Sequence, residues 1–250
     1  MKIVIIGSGN VAYHLVKAFS EKGVSLVQVF GRNEKALKEI SSEFGIPYST
    51  NELAEADLHI ISVKDDAIAE VSSKIKNKNA LVAHTSGSTS KNVLEGEYRK
   101  ASFYPLQTFS KKKALNYSEI PFFIDAETEE DRQILLQLAQ KISKKIMFID
   151  DEKRKYIHLA AVFSCNFVNH LWAKTQEITD RQDIPFEYFL PLIDETLDKI
   201  KYLSPKEAQT GPAVRNDEKT LQLHEQIIEN EEQKQIYKVF NQSIKKMYEL

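Results

Sequence analysis

Apolar residues follow two rhythms along this chain. Up to about residue 150 they form short runs: Ile3-Val4-Ile5-Ile6, Ser25-Leu26-Val27-Gln28-Val29-Phe30, Leu58-His59-Ile60-Ile61-Ser62-Val63 and Ala80-Leu81-Val82-Ala83. Such runs suit strands buried on both faces of a parallel sheet. Between them apolar positions recur at helical spacing, as in Val11, Leu15, Ala18 and Phe19, and the pattern predicts further helices at 33–44 and 67–75. Ile46-Pro47-Tyr48 predicts a short strand. Ala101–Tyr104 predicts another, leading into an exposed loop over Pro105–Ser110. Two last strands, 121–125 and 145–149, flank a helix at 128–143. After Asp150 the period is helical throughout, and no glycine interrupts the chain between Gly96 and Gly211. Long helices are predicted at 152–180, 186–203 and 217–247. The chain thus divides into an α/β domain, 1–150, and an all-α domain, 151–250.

The first strand runs into Gly7-Ser8-Gly9-Asn10-Val11-Ala12, a G-x-G-x-x-G/A fingerprint between a strand and a helix. Gly7 lets the chain turn sharply. Gly9 lets backbone N–H groups approach a pyrophosphate, and Ala12 lets the helix pack close to the strand. The helix N-terminus adds unpaired donors and a positive dipole end. A dinucleotide is the expected ligand, with Gly7, Ser8, Gly9, Asn10 and Val11 around its phosphates.

The second strand ends at Gly31-Arg32-Asn33, with no acidic residue in the turn to hold a ribose 2′-hydroxyl. A guanidinium there suits a 2′-phosphate, so the pattern favours NADP over NAD. Asn33 doubles as a candidate N-cap for the following helix. Loops at the carboxyl ends of later strands should line the same crevice. Val63 and Lys64 are expected near the nicotinamide-side ribose. The hydroxyl-rich His84-Thr85-Ser86-Gly87-Ser88 is expected to bind the nicotinamide amide or a substrate carboxylate, or else simply to cap the next helix.

Composition narrows the classes. Net charge is −2 with no sustained basic stripe, which argues against nucleic acid as a partner. The single cysteine, Cys165, excludes an internal disulfide and reads as a small buried residue. No stretch is long enough to span a bilayer, and the chain starts directly on its first strand, so a cytoplasmic protein is expected.

In the helical half, His158, Val162, Asn166 and His170 recur every four residues and share one face. Polar groups on an apolar helix need partners. Turned toward a nicotinamide, His158 and Asn166 would supply donors, and a histidine can shuttle a proton near neutral pH. Alternatively they are satisfied core or interface groups. No metal site is expected, because no carboxylate sits between the two histidines. Thr210-Gly211-Pro212-Ala213-Val214-Arg215-Asn216-Asp217 is a turn in which Arg215 could pair with a substrate carboxylate and Asp217 could cap the last helix.

Taken together, GSGNVAYHL at 7–15, HTSGS at 84–88, YPLQTFS at 104–110, HLAAVFSCN at 158–166 and TGPAVRND at 210–217 resemble a family across the whole chain. That family joins a Rossmann-like NADP-binding domain to a helical C-terminal domain of unknown function, and its members are labelled oxidoreductases of the deazaflavin-dependent NADP type. More broadly the layout is similar to the superfamily of pyrroline-5-carboxylate reductase, 6-phosphogluconate dehydrogenase and prephenate dehydrogenase. The resemblance implies an α/β Rossmann-type N-terminal domain with an all-α, 6-phosphogluconate-dehydrogenase-like C-terminal domain. It implies cofactor contacts at Gly7, Gly9 and Arg32, and a substrate facing the 84–88 loop and the helix from His158. Relatives usually carry His-Pro where this chain has Tyr104-Pro105; a tyrosine there can still donate a hydrogen bond.

The expected function is NADP-dependent hydride transfer to or from a small anionic carbonyl or imine compound. An alternative is an NADP(H)-binding sensor or scaffold without turnover, and deazaflavin as second substrate is a third reading. A homodimer through the helical domain is expected, since its apolar faces need cover.

Overall fold

The computed structural model describes all 250 residues. Eight strands form one sheet: β1 (Ile3–Ile6), β2 (Leu26–Phe30), β3 (Tyr48–Ser49), β4 (Leu58–Ile61), β5 (Leu81–His84), β6 (Arg99–Pro105), β7 (Phe122–Ala126) and β8 (Ile146–Phe148). Their order is β3-β2-β1-β4-β5-β6-β7-β8. Strands β1 to β6 pair in parallel. β7 runs antiparallel to β6, and β8 is parallel to β7. The carboxyl ends of β1, β2, β4, β5 and β6 therefore share one edge, where a doubly wound sheet opens its ligand crevice.

Of the runs read as doubly buried strands, β1, β4 and β5 are buried throughout, and β2 is buried from Gln28 to Phe30. In β1, Ile3 and Ile5 join one core with Leu15 and Phe19 of α1 (Asn10–Glu21), Leu37 and Ile40 of α2 (Glu34–Phe44), and Leu135 and Leu138 of α4 (Glu129–Gln140). Val4 and Ile6 face the other side with Ile68 of α3 (Ile68–Ser72), Leu94 and Tyr98. Local signals end the helices where expected. Asn33 accepts from the Ala36 N–H to start α2, and Gly45, with φ 69°, closes it. The expected helix at 67–75 is shorter, with a 3₁₀ turn at Asp65–Ala67 leading into α3.

The helical region opens with α5 (Asp151–Ala161). A π-helical stretch, Val162–Phe167, continues it into α6 (Val168–Asp180). The chain forms two compact units that divide at Asn166/Phe167. The change of rhythm at Asp150 marks the end of the sheet, while α5 belongs with the sheet because its Arg154 is buried against β6.

The second unit contains α6, α7 (Leu190–Lys199), α8 (Pro205–Ala208), α9 (Glu218–Ile227) and α10 (Glu231–Met247). The single helix expected over 217–247 is broken in two. Ile228 leaves helical geometry, and Asn230 restarts the chain by accepting from the Gln233 N–H. Asp217 caps α9 through the Thr220 N–H. No helix is long and apolar enough to cross a membrane.

Candidate active site

A cavity of about 680 Å³ opens along the carboxyl edge of the sheet. Its floor is the glycine turn, residues 7–11. Gly7 has φ 133°, and a Cβ there would lie 2.2 Å from the Ser62 carbonyl oxygen, so only glycine fits. Gly9 differs. A Cβ there would meet no protein atom within 4 Å, and its φ is an ordinary −76°. The space beside Gly9 is open to any ligand that approaches the turn. No side chain caps the N-terminus of α1 and its first turn has no acidic residue, so its leading N–H groups stay available to an anion. The Asn10 amide donates to the Phe109 carbonyl at 2.9 Å, holding the 106–113 loop beside the turn.

The end of β2 contributes Gly31, Arg32 and Asn33 to the same cavity, with Thr50 beside them. Arg32 is exposed and makes no ion pair. Asn33 spends its side-chain oxygen on the α2 cap. From β4 come Val63 and Lys64, and also Asp65, which sequence reading passed over.

The 84–88 loop departs from expectation. Thr85, Ser86, Gly87 and Ser88 line the cavity, but His84 does not. His84 is the last residue of β5 and points into the protein, fully buried. Its Nδ1 accepts from the Ser86 N–H at 3.2 Å, and its Nε2 makes no well-formed hydrogen bond. Burial, and then the nearby Arg154 guanidinium, pull its pKa down to about 4, so the ring is neutral at pH 7. The hydroxyls are also committed. Ser86 and Ser88 both donate to Asp65 Oδ2, at 2.9 and 2.6 Å, and Thr85 donates to Ser62 at 3.2 Å. Burial works against the Asp65 charge, but these serines outweigh it and hold the carboxyl below its usual range. Lys64 and Asp65 are the charged groups that directly follow β4 here, and Arg32, Glu70 and Lys74 also line the cavity.

Tyr104 and His158 meet across the far wall. The Tyr104 hydroxyl lies 3.1 Å from His158 Nδ1, with the rings nearly perpendicular at 75°. The tyrosine is 8% exposed, and burial raises its pKa. Gly87 permits this pair, because a Cβ there would fall 2.6 Å from His158 Nδ1 and 2.8 Å from Tyr104 Cζ. Nothing in the sequence flagged Gly87, since its requirement comes from two residues distant along the chain.

Two expected site residues lie elsewhere. Asn166 is exposed and does not line the cavity. It lies further along the helix axis than His158, inside the π-helical stretch Val162–Phe167, where the regular α-helical spacing that put the two on one stripe no longer holds. Arg215 is exposed in the turn before α9, in the second unit, beside Asp217. No three histidine, cysteine or acidic side chains gather in a way that could hold a metal.

Comparisons with known proteins place the chain in a family. Residues 2–86 match the family described as NADP oxidoreductase coenzyme F420-dependent, and residues 120–244 match the domain of unknown function DUF2520. A Bacteroides fragilis structure assigned as the NADP oxidoreductase BF3122 is 41% identical, with a TM-score of 0.94 over 98% of each chain. Protein TM1727 of Thermotoga maritima is 22% identical, with a TM-score of 0.83 over 99% of this chain and 100% of that one. A pyrroline-5-carboxylate reductase from Streptococcus pyogenes shares the fold at 15% identity, with a TM-score of 0.64 over 98% of each chain. No curated protein matches. The chain belongs to the family that joins an NADP oxidoreductase coenzyme F420-dependent domain to a DUF2520 domain.

Proposed function

We propose that the protein moves hydride between NADP(H) and a small anionic carbonyl or imine compound. The observation that carries this reading is the Tyr104–His158 pair, set in the same cavity as the Gly7–Val11 turn. Bound NADPH supplies the hydride. The turn and the α1 N-terminus hold the pyrophosphate, and Arg32 holds the 2′-phosphate. Thr50 borders the same end. Lys64, exposed and without an ion pair, holds the substrate anion. His158 gives a proton to the substrate oxygen or nitrogen as hydride arrives, and Tyr104 orients the imidazole through Nδ1.

Calorimetric titration with NADPH and NADH tests the cofactor assignment. NADPH should bind more tightly. Arg32→Ala should weaken NADPH by roughly 10- to 100-fold, the scale of lost charge-assisted hydrogen bonds, and leave NADH unchanged. Equal binding of both nucleotides, or an Arg32→Ala variant that keeps the preference, would overturn the 2′-phosphate role.

The reading extends to assembly. Within the second unit Tyr188, Leu192, Tyr202, Ile227 and Val239 are each more than 60% exposed. A second copy of the chain is the proposed cover. Light scattering at micromolar concentration should give twice the monomer mass, and a monomer would reject the dimer.

A further inference from the structure

A row of buried polar residues runs across the sheet beneath the Tyr104–His158 pair. His84 of β5 aligns with Ser102 of β6, and Ser102 with Asp125 of β7. All three are buried. Two cations cover the row. Lys91 reaches Asp125 Oδ2 at 2.5 Å. Arg154, fully buried, donates from Nη1 to Ser102 Oγ at 2.5 Å and from Nη2 to the Thr89 carbonyl. Its Nη2 also pairs with Asp151 Oδ1 at 2.8 Å. Asp151 in turn accepts from the Ser90 hydroxyl and the Lys91 N–H.

This row stands in register with the candidate site. Ser102 and Tyr104 are two residues apart on β6 and so share a face, about 6.6 Å apart at ~3.3 Å per residue. Arg154 and His158 are four residues apart on α5 and share a face, about 6 Å apart at ~1.5 Å per residue. The two spacings match, so Arg154–Ser102 and His158–Tyr104 form consecutive rungs between the helix and the strand.

We propose that Arg154 is a positioning residue: by gripping Ser102 and the Thr89 carbonyl it sets the height and rotation of α5 and holds His158 Nδ1 against the Tyr104 hydroxyl. The inference rests on the reading of that pair as the proton-handling group. A purely structural account serves less well. A buried ion pair is often no more stabilising than apolar side chains of similar volume, and here the Arg154 Nε is left without a partner. What a guanidinium offers that an apolar side chain cannot is direction. Its planar fork reaches a strand, a loop and its own helix at once. The Thr89 carbonyl also belongs to the segment that follows the cavity-lining turn, so Arg154 ties that turn to α5. Its charge further opposes the rise that burial imposes on the Tyr104 phenol.

The test uses the full chain without substrate. Nitrogen-15 NMR of the histidine side chains, of which there are six, reports the His158 ring, identified by its loss in His158→Asn. Arg154→Met should shift the His158 ring resonances to those seen in Tyr104→Phe, and Ser102→Ala should shift them part of the way. Arg154→Lys should recover little of the wild-type position, because one ammonium cannot replace the fork. On the Tyr104→Phe background Arg154→Met should add no further shift. NADPH affinity should stay at the wild-type value in each, showing an intact nucleotide site. Wild-type His158 resonances in a folded Arg154→Met, or in Ser102→Ala should the first variant not fold, would overturn the proposal. Because no turnover is measured, such a result leaves the hydride-transfer reading standing. Conversely, a protein that binds no NADPH would sink that reading, while the ring shifts would still report whether Arg154 sets the geometry of the pair.

Discussion

Gly7→Ala should abolish NADPH binding together with the fold of the nucleotide-binding unit, whereas Gly9→Ala should abolish the binding alone. The two glycines look alike in the fingerprint and do opposite work. At Gly7 the new methyl would sit 2.2 Å from the Ser62 carbonyl oxygen and 2.8 Å from its carbon, both backbone atoms at the end of β4. Neither can swing aside as a side chain would. The Gly7 N–H donates to the Phe30 carbonyl at 2.7 Å, and the Ser62 N–H to the Ile6 carbonyl at 2.7 Å, so the turn is pinned to β2 and β4 on both sides. A φ of 133° adds backbone strain of about 1–3 kcal/mol for any other residue. With the overlap included, the loss should exceed ~4 kcal/mol, in the range kept for special positions. Gly9 carries neither burden, and an alanine there could even stabilise the free protein by ~0.4–1 kcal/mol through the unfolded chain. Its methyl would occupy the space the pyrophosphate needs. Thermal melts and calorimetric titration on the two variants separate these outcomes. A stable Gly7→Ala that binds NADPH would contradict the steric account, and a Gly9→Ala of wild-type affinity would remove the phosphate from that turn.

The contrast also shows which parts of the molecule can be read from sequence. The strand–turn–helix at residues 3–21 is legible because its chemistry is local. Four apolar residues, two glycines and the start of an amphipathic helix carry their meaning in adjacent positions. The caps at Asn33 and Asp217 are legible for the same reason. His84 was misread because nothing in Ala83-His84-Thr85 marks where the strand ends. One more residue of β5 turned its ring from the cleft into the protein. Ser102, Asp125 and Arg154 gave no signal at all. Their common purpose exists only once β5, β6 and β7 are in register and α5 lies over them. Of the four-residue stripe, His158 lines the cavity and Asn166 does not, because a stripe along a helix gives a direction and not a distance.

The pair that this arrangement supports makes the last strong prediction. His158→Ala should lower turnover of any carbonyl or imine compound the wild type reduces by roughly 10²- to 10⁴-fold, the usual contribution of a positioned acid or base. NADPH affinity should not change, because the proposed nucleotide contacts at the 7–11 turn and Arg32 do not involve it. Tyr104→Phe should cost less. It removes the hydroxyl at 3.1 Å from Nδ1 and leaves the imidazole in place to transfer the proton. Combining the two should cost no more than His158→Ala alone, since a partner that acts only through the histidine has nothing to orient once the ring is gone. If the two losses instead multiply, Tyr104 acts on the substrate directly and is then itself a proton donor. Unchanged turnover in His158→Ala would remove the histidine from the chemistry and assign the proton to another group of the cavity. Steady-state assays on the three variants with one fixed substrate distinguish these cases. The loss should fall in kcat rather than KM, because the proposal gives His158 the proton and Lys64 the anion.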